Sequence, residues 1–181
     1  ILCTGKATKT INDIQGQEKE YETDFHLGAT TKSYDAEFPP ENITDTSHLT
    51  RETIEQALQQ FKGQIEQVPP VFSAVKVKGK RAYKAARAGQ KIELKSRIVT
   101  VEDFSLLNYQ TPGTISARII CSKGTYIRSL VHDLGQQLGG GGYIQELKRT
   151  RIGPHLLENA WEINDFAEQM KVLRATQKEQ E

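Results

Sequence analysis

The run Cys121-Ser122-Lys123-Gly124-Thr125-Tyr126-Ile127-Arg128 sets an aromatic ring and a guanidinium two residues apart. It follows a β-rich stretch and a glycine, and it leads into a helical pattern. At such a junction the two groups can hold a flat ring and pair with a carboxylate or a phosphate. Their relative placement depends on the local backbone. If residues 125–128 are extended, the period of two puts Tyr126 and Arg128 on one side; if they are helical, positions i and i+2 diverge. The plainer reading, a packed tyrosine and a surface arginine, stays open on these residues alone.

The second chemical feature is charge. The total of +1 hides three regions. Residues 1–70 hold 6 basic and 12 acidic residues, residues 71–97 hold 9 basic residues against the single Glu93, and residues 98–181 hold 9 basic and 10 acidic. The middle block, net +8, suits a polyanion. A solvated basic loop is the alternative. Val71, Phe72, Ala74, Val75, Val77, Tyr83 and Ala86 interleave with the cations, which favours an ordered element holding its charges in a fixed array.

Other chemistries lack their residues. There is no nucleophile elbow, phosphate-binding loop or dinucleotide fingerprint, and His26, His48, His132 and His155 show no metal spacing. Cys3 and Cys121 form neither a disulfide framework nor a CxxC pair, so a reducing, cytoplasmic setting is expected. No apolar run is long enough for a membrane span, and the start has no signal-peptide pattern. The start at Ile1, without Met, reads as an excerpt of a longer protein.

These groups need elements to position them. Residues 20–27 alternate, with Tyr21, Thr23, Phe25 and Leu27 on one side and Glu22, Asp24 and His26 on the other, which predicts a half-buried strand. Residues 29–48 read as a loop. Thr50 is placed to cap a helix carrying Ile54, Ala57, Leu58 and Phe61. The basic block predicts a strand over 72–77, a turn at 78–80 and a helix over 82–88. Residues 98–109 and 114–121 predict an antiparallel pair. Ile127, Leu130, Val131, Leu134 and Leu138 form one helical stripe ending at Gly139. A strand over 143–152 follows, then a helix capped by Asn164 with Phe166, Met170 and Leu173 inward. The irregular alternation predicts α+β: a mixed, mostly antiparallel sheet flanked by helices, in about one domain.

The segment 121–130, with Asp133-Leu134-Gly135 after it, resembles the TruB family of tRNA pseudouridine synthases. Three further stretches agree in order: Gly5-Lys6-Ala7-Thr8-Lys9; Lys19-Glu20-Tyr21 with Leu27-Gly28; and Pro69-Pro70-Val71-Phe72-Ser73-Ala74-Val75-Lys76 with Gly79, Tyr83, Ala86-Arg87 and Gly89. The resemblance spans nearly the whole chain. It implies a pseudouridine synthase-like catalytic domain over residues 1–181, incomplete at its start, with a thumb-like basic insertion at about 71–97. It implies isomerisation of a T-loop uridine in tRNA through base flipping and an Asp nucleophile. No cofactor, metal, membrane or protein partner is implied, and a monomer is expected.

By matched position, Tyr21 is implied to stack on the flipped base and to be placed for proton transfer, and Tyr126 and Leu147 to wall its pocket. Arg128 is implied to pair with the nucleophilic Asp and keep it ionised. Lys76, Lys78, Lys80, Lys84, Arg87, Lys148 and Arg149 are implied RNA contacts, with Arg151 beside them, and Lys9 is implied either to support the catalytic loop or to touch RNA. The family's Asp loop precedes the Gly-Lys-Ala-Thr-Lys stretch, so the chain as given is expected to be catalytically incomplete. It is also expected to stop before the small C-terminal RNA-binding domain many members carry. Lys32 stands where an acidic residue is usual, and Gly140–Gly142 are plainer than the family's Gly-Cys-Gly turn, so both loops are expected to differ. A non-catalytic RNA-binding module, or an α+β protein with no nucleic-acid role, are the competing readings.

Overall fold

The computed structural model describes residues 1–77, 79–90 and 92–178, except the side chains of Lys80 and of residues 174–178. A short helix α1 (Ile11–Gly16) leads into β1 (Lys19–Leu27). Its alternation does what the pattern predicts: Thr23, Phe25 and Leu27 are buried, while Glu22 faces solvent. Helix α2 (Arg51–Gln60) starts at Thr50, whose Oγ1 accepts from Thr53 N at 3.2 Å while Thr53 Oγ1 accepts from Thr50 N at 2.9 Å. Strand β2 (Gly63–Gln67) follows, then β3 (Lys76–Val77), β4 (Lys80–Arg81) and helix α3 (Ala82–Arg87). Next come β5 (Arg97–Gln110), β6 (Thr114–Cys121), α4 (Ile127–Gln137), β7 (Gly142–Ile152), β8 (His155–Leu156) and α5 (Ile163–Lys178).

Six strands form one sheet in the order β2-β5-β6-β1-β7-β8, with every strand pair antiparallel. β1 sits inside it, between β6 and β7. Helices α2 and α4 bring Ile54, Leu58, Leu130 and Leu134 into one cluster with Phe25, Phe104, Ile115 and Ile119 from the sheet. The α+β expectation holds. Among the described residues no helix is long and apolar enough to cross a membrane.

Three local expectations change. The strand predicted over 72–77 shrinks to Lys76–Val77, because the carbonyls before it are taken: Tyr83 N donates to Ser73 O at 3.0 Å and Ala82 N to Val75 O at 2.8 Å. The start of α3 thus docks on this segment in place of a neighbouring strand. β2 carries no apolar alternation and was not expected; its pairing with β5, Gly63↔Val101 through Gln67↔Arg97, makes it a strand at the sheet edge. In α5, Phe166 N donates to Glu162 O, so the helix begins before Asn164, and Phe166 and Leu173 are 48% and 55% exposed instead of inward.

The glycine turn is closed by backbone bonds. Gly140 N and Gly141 N donate to Gly135 O at 3.0 and 2.9 Å, and Gly28 N donates to Gly141 O at 3.0 Å. A Cβ on Gly135 would stand 2.0 Å from Gly141 C. Lys32, in the loop after β1, pairs with Glu41 at 3.6 Å.

Candidate functional site

The junction before α4 combines both local alternatives. Tyr126 is extended (φ −97°, ψ 109°) and Ile127 begins the helix, so the backbone turns between the aromatic and the guanidinium. Both side chains then line one cleft of about 640 Å³, together with Asp35, Phe72, Tyr83, Arg87 and Leu147.

Arg128 is held on several sides. Its Nη1 donates to Ser33 O and to Asp35 Oδ2, each at 3.0 Å, and its Nη2 donates to Phe72 O at 2.9 Å. The Arg128 and Asp35 side chains are 23% and 29% exposed, so this ion pair is shielded more than a surface pair. Asp35 is fixed in turn: its Oδ1 accepts from Ser33 Oγ at 2.5 Å and from Glu37 N at 3.1 Å. The loop that carries it is pinned to β7 by the bridge between Asp35 and Ile144 and by Ile144 N donating to Tyr34 O at 3.1 Å. Tyr34 also stacks on His132 of α4, with centroids 3.8 Å apart and planes 9° apart. Burial lowers the His132 pKa and favours the neutral ring in that stack. Sequence reasoning missed Asp35. Its only signal is a loop context, Ser33-Tyr34-Asp35-Ala36-Glu37, in which a carboxylate folds back on its own backbone.

Leu147 stands on β7 opposite Thr23, and Arg149 opposite Tyr21, so the alternation puts Tyr21, Leu147 and Arg149 on one face of the sheet. Leu147 is 46% exposed on a face where Ile144 is buried: the covering of the sheet ends here and the cleft begins. Tyr21 packs against the edge of the core and is one diagonal step from Leu147, beside the cleft lining. Burial raises the Tyr21 hydroxyl above its ordinary value, and the nearby Arg149 guanidinium opposes that rise.

The cations separate into groups. Arg87 lines the cleft, bonds Glu37 at 3.0 Å and lies 5.9 Å from the Tyr83 ring centroid. Lys76 and Lys84 are exposed on the same insertion. Lys78 lies outside the described residues, as does the side chain of Lys80. Lys9 sits exposed in the 3-10 turn Gly5–Thr10 and does not line the cleft. Lys148 is opposite Glu22 and so faces the other side of the sheet from Leu147. Arg151 is engaged by Glu18 at 2.7 Å and Glu20 at 3.8 Å.

The cleft thus offers an aromatic and an apolar wall for a flat ring, a clamped guanidinium beside them, and cations at the rim. Replacing Tyr21 by Leu in the full-length protein is expected to slow turnover on an RNA hairpin about tenfold while leaving hairpin affinity within about twofold, if the ring meets the base only once it is flipped into the reacting state. Equal loss in both measurements would make Tyr21 a packing residue.

Known proteins share this arrangement of sequence and fold. The profile "TruB family pseudouridylate synthase (N terminal domain)" matches residues 1–127, and "tRNA pseudouridylate synthase B C-terminal domain" matches residues 128–181. The boundary falls at the start of α4, and β7 from the second stretch pairs with β1 from the first, so both share one sheet. The chain is 48% identical over 172 residues to the tRNA pseudouridine synthase B of Parabacteroides distasonis, covering 93% of this chain and 73% of the relative. It is 39% identical over 180 residues to that of Thermobifida fusca, covering 96% of this chain and 61% of the relative. Among solved structures it is similar to a chain of a Cbf5-Nop10-Gar1 complex, with a TM-score of 0.58 and 29% identity; the match covers 84% of this chain and 35% of that one. With two profiles spanning its length and relatives matched over most of their own, the chain belongs to the TruB family of pseudouridylate synthases.

Proposed function

We propose that the cleft receives a uridine flipped out of a tRNA T-arm and that the protein isomerises it to pseudouridine. The observation that carries this reading is the convergence of Tyr126, Leu147 and Arg128 on one cleft of about 640 Å³, with Tyr21 adjoining on the same sheet face. Extruding a base costs a few kcal/mol of stacking and pairing, and an aromatic and apolar slot offsets that cost. Arg128, which Asp35 and two carbonyls hold at the cleft, is the cation that pairs with the nucleophilic Asp. The family relationship and the relatives' names support tRNA as the substrate. The insertion at about 71–97 grips the T-arm backbone. Lys76, Lys84, Arg87 and Arg149 contact phosphate, and Lys78 and Lys80, neighbours in sequence, are assigned the same part. Lys9, Lys148 and Arg151 lie away from the cleft and serve more distant backbone. Residues 1–181 act as part of one catalytic unit, monomeric and cytoplasmic; the free Cys3 and Cys121 are consistent with a reducing compartment.

The test has two arms. Full-length protein incubated with a T-arm hairpin should convert its uridine, read by a pseudouridine-specific chemical stop; binding without conversion would leave only an RNA-binding module. Reversing the charge of Lys76, Lys78, Lys80 and Lys84 should weaken hairpin binding about ten- to a hundredfold at moderate salt and flatten its salt dependence, because fewer counterions are released. Unchanged affinity with the fold intact would remove nucleic acid from the reading.

A further inference from the structure

Tyr126 is gripped from two directions, by Gln67, which has had no part so far, and by Arg97, the last cation of the basic block, whose guanidinium is engaged by Tyr126 and Gly124. Gln67, at the end of β2, is fully buried. Its Nε2 donates to Tyr126 O at 3.1 Å, and its Oε1 accepts from Tyr126 N at 2.8 Å. A buried amide costs free energy unless both its ends are bonded, and here both are spent on one residue's backbone. The next residue repeats the contact: Val68 O accepts from Ser129 Oγ at 2.7 Å.

The cross-strand partner of Gln67 in the β2–β5 register is Arg97. Its guanidinium carbon lies 4.7 Å from the centroid of the Tyr126 ring, and its Nη2 donates to Gly124 O at 2.5 Å. One strand pair therefore sends one side chain to the backbone of Tyr126 and the other to its ring. The cation over the ring favours one placement of it, and the bond to Gly124 keeps the planar guanidinium from sliding off.

We propose that the cross-strand pair Gln67–Arg97 is a positioning clamp for Tyr126, fixing where its ring stands as a wall of the cleft. Gln67 sets the backbone at the point where extended chain becomes helix, and so also sets the first turn that carries Arg128. Arg97 sets the ring. Neither residue lines the cleft itself. The inference rests on the cleft being the base-receiving site.

The experiment is a double-mutant cycle in the full-length protein, read as single-turnover conversion of the T-arm hairpin, hairpin Kd and Tm. Arg97→Met is expected to slow single turnover about three- to thirtyfold, with Kd within about twofold. Arg97→Lys keeps a cation but loses the planar fork, so its rate should fall between the two. The decisive measurement is Arg97→Met beside Tyr126→Leu: if Arg97 acts through the ring, its own effect vanishes once the ring is gone. A rate for Arg97→Met equal to wild type, or a loss that persists in full beside Tyr126→Leu, overturns the clamp. Should Arg97→Met fail to fold, Arg97→Lys decides by the same criterion. Wild-type protein that binds the hairpin without converting it overturns the underlying reading, an outcome distinct from a converting enzyme indifferent to Arg97.

Discussion

Arg128→Met is expected to lower single-turnover conversion by the full-length protein about 10²–10³-fold while hairpin affinity stays within about threefold. The rate estimate is that for removing one preorganised charge-stabilising group from a shielded site. Methionine fills much of the arginine stem but donates nothing. Three acceptors, Ser33 O, Asp35 Oδ2 and Phe72 O, lose their donor at once. The Asp35 carboxylate is then left half-shielded without its cation, and the loop from β1 to α2 is tied to α4 by the Tyr34–His132 stack without the ion pair. RNA affinity should survive because the proposed function assigns the backbone contacts to the insertion and the rim. Arg128→Lys should rescue little, since one ammonium cannot reproduce the planar reach to a carboxylate and two carbonyls. Rapid conversion by Arg128→Met would strip the residue of any catalytic part.

The second large effect concerns stability. Gly135 lies inside α4, where helix propensity alone says that alanine should stabilise by about 1 kcal/mol. The fold reverses that sign. The added methyl would meet Gly141 C at 2.0 Å, Gly141 O at 2.2 Å and Gly142 N at 2.3 Å, all of them backbone atoms that no rotamer change can move. Gly135→Ala must push the glycine turn away from the helix, breaking the bonds from Gly140 N and Gly141 N to Gly135 O. A destabilisation of about 3 kcal/mol is expected. For a chain of this size that is a Tm lower by roughly 6–12 °C. Thermal unfolding followed by circular dichroism measures it; an unchanged or raised Tm would show that the helix and the turn separate freely.

Much of this architecture was legible because burial imposes periodicity. β1 alternates because one face of the sheet meets the helices, and Ile127, Leu130, Val131, Leu134 and Leu138 recur because one face of α4 meets the sheet. The start of α2 was legible from Thr50 because capping is a local bond. The sequence was silent where structure comes from partners distant in the chain. β2 is polar and short, and it is a strand because β5 offers an edge. Asp35 looks like any loop carboxylate until Arg128, far along the chain, reaches it. Tyr126 and Arg128 could not be placed from residue spacing because the change from extended to helical backbone falls between them. The stripe in α5 is real, yet the pattern alone does not say whether anything covers it. Family motifs supplied roles for the cleft residues that periodicity could not, but they left unstated which acceptors hold Arg128 and what steadies Tyr126.

The bond from Arg128 Nη2 to Phe72 O joins the cleft to the first residues of the basic insertion. At 2.9 Å it tolerates little stretch, so a shift of the Phe72 carbonyl by about 1 Å must either drag the guanidinium along or release it. On the proposed function, a polyanion that shifted the insertion would therefore also shift or free Arg128, joining grip and alignment.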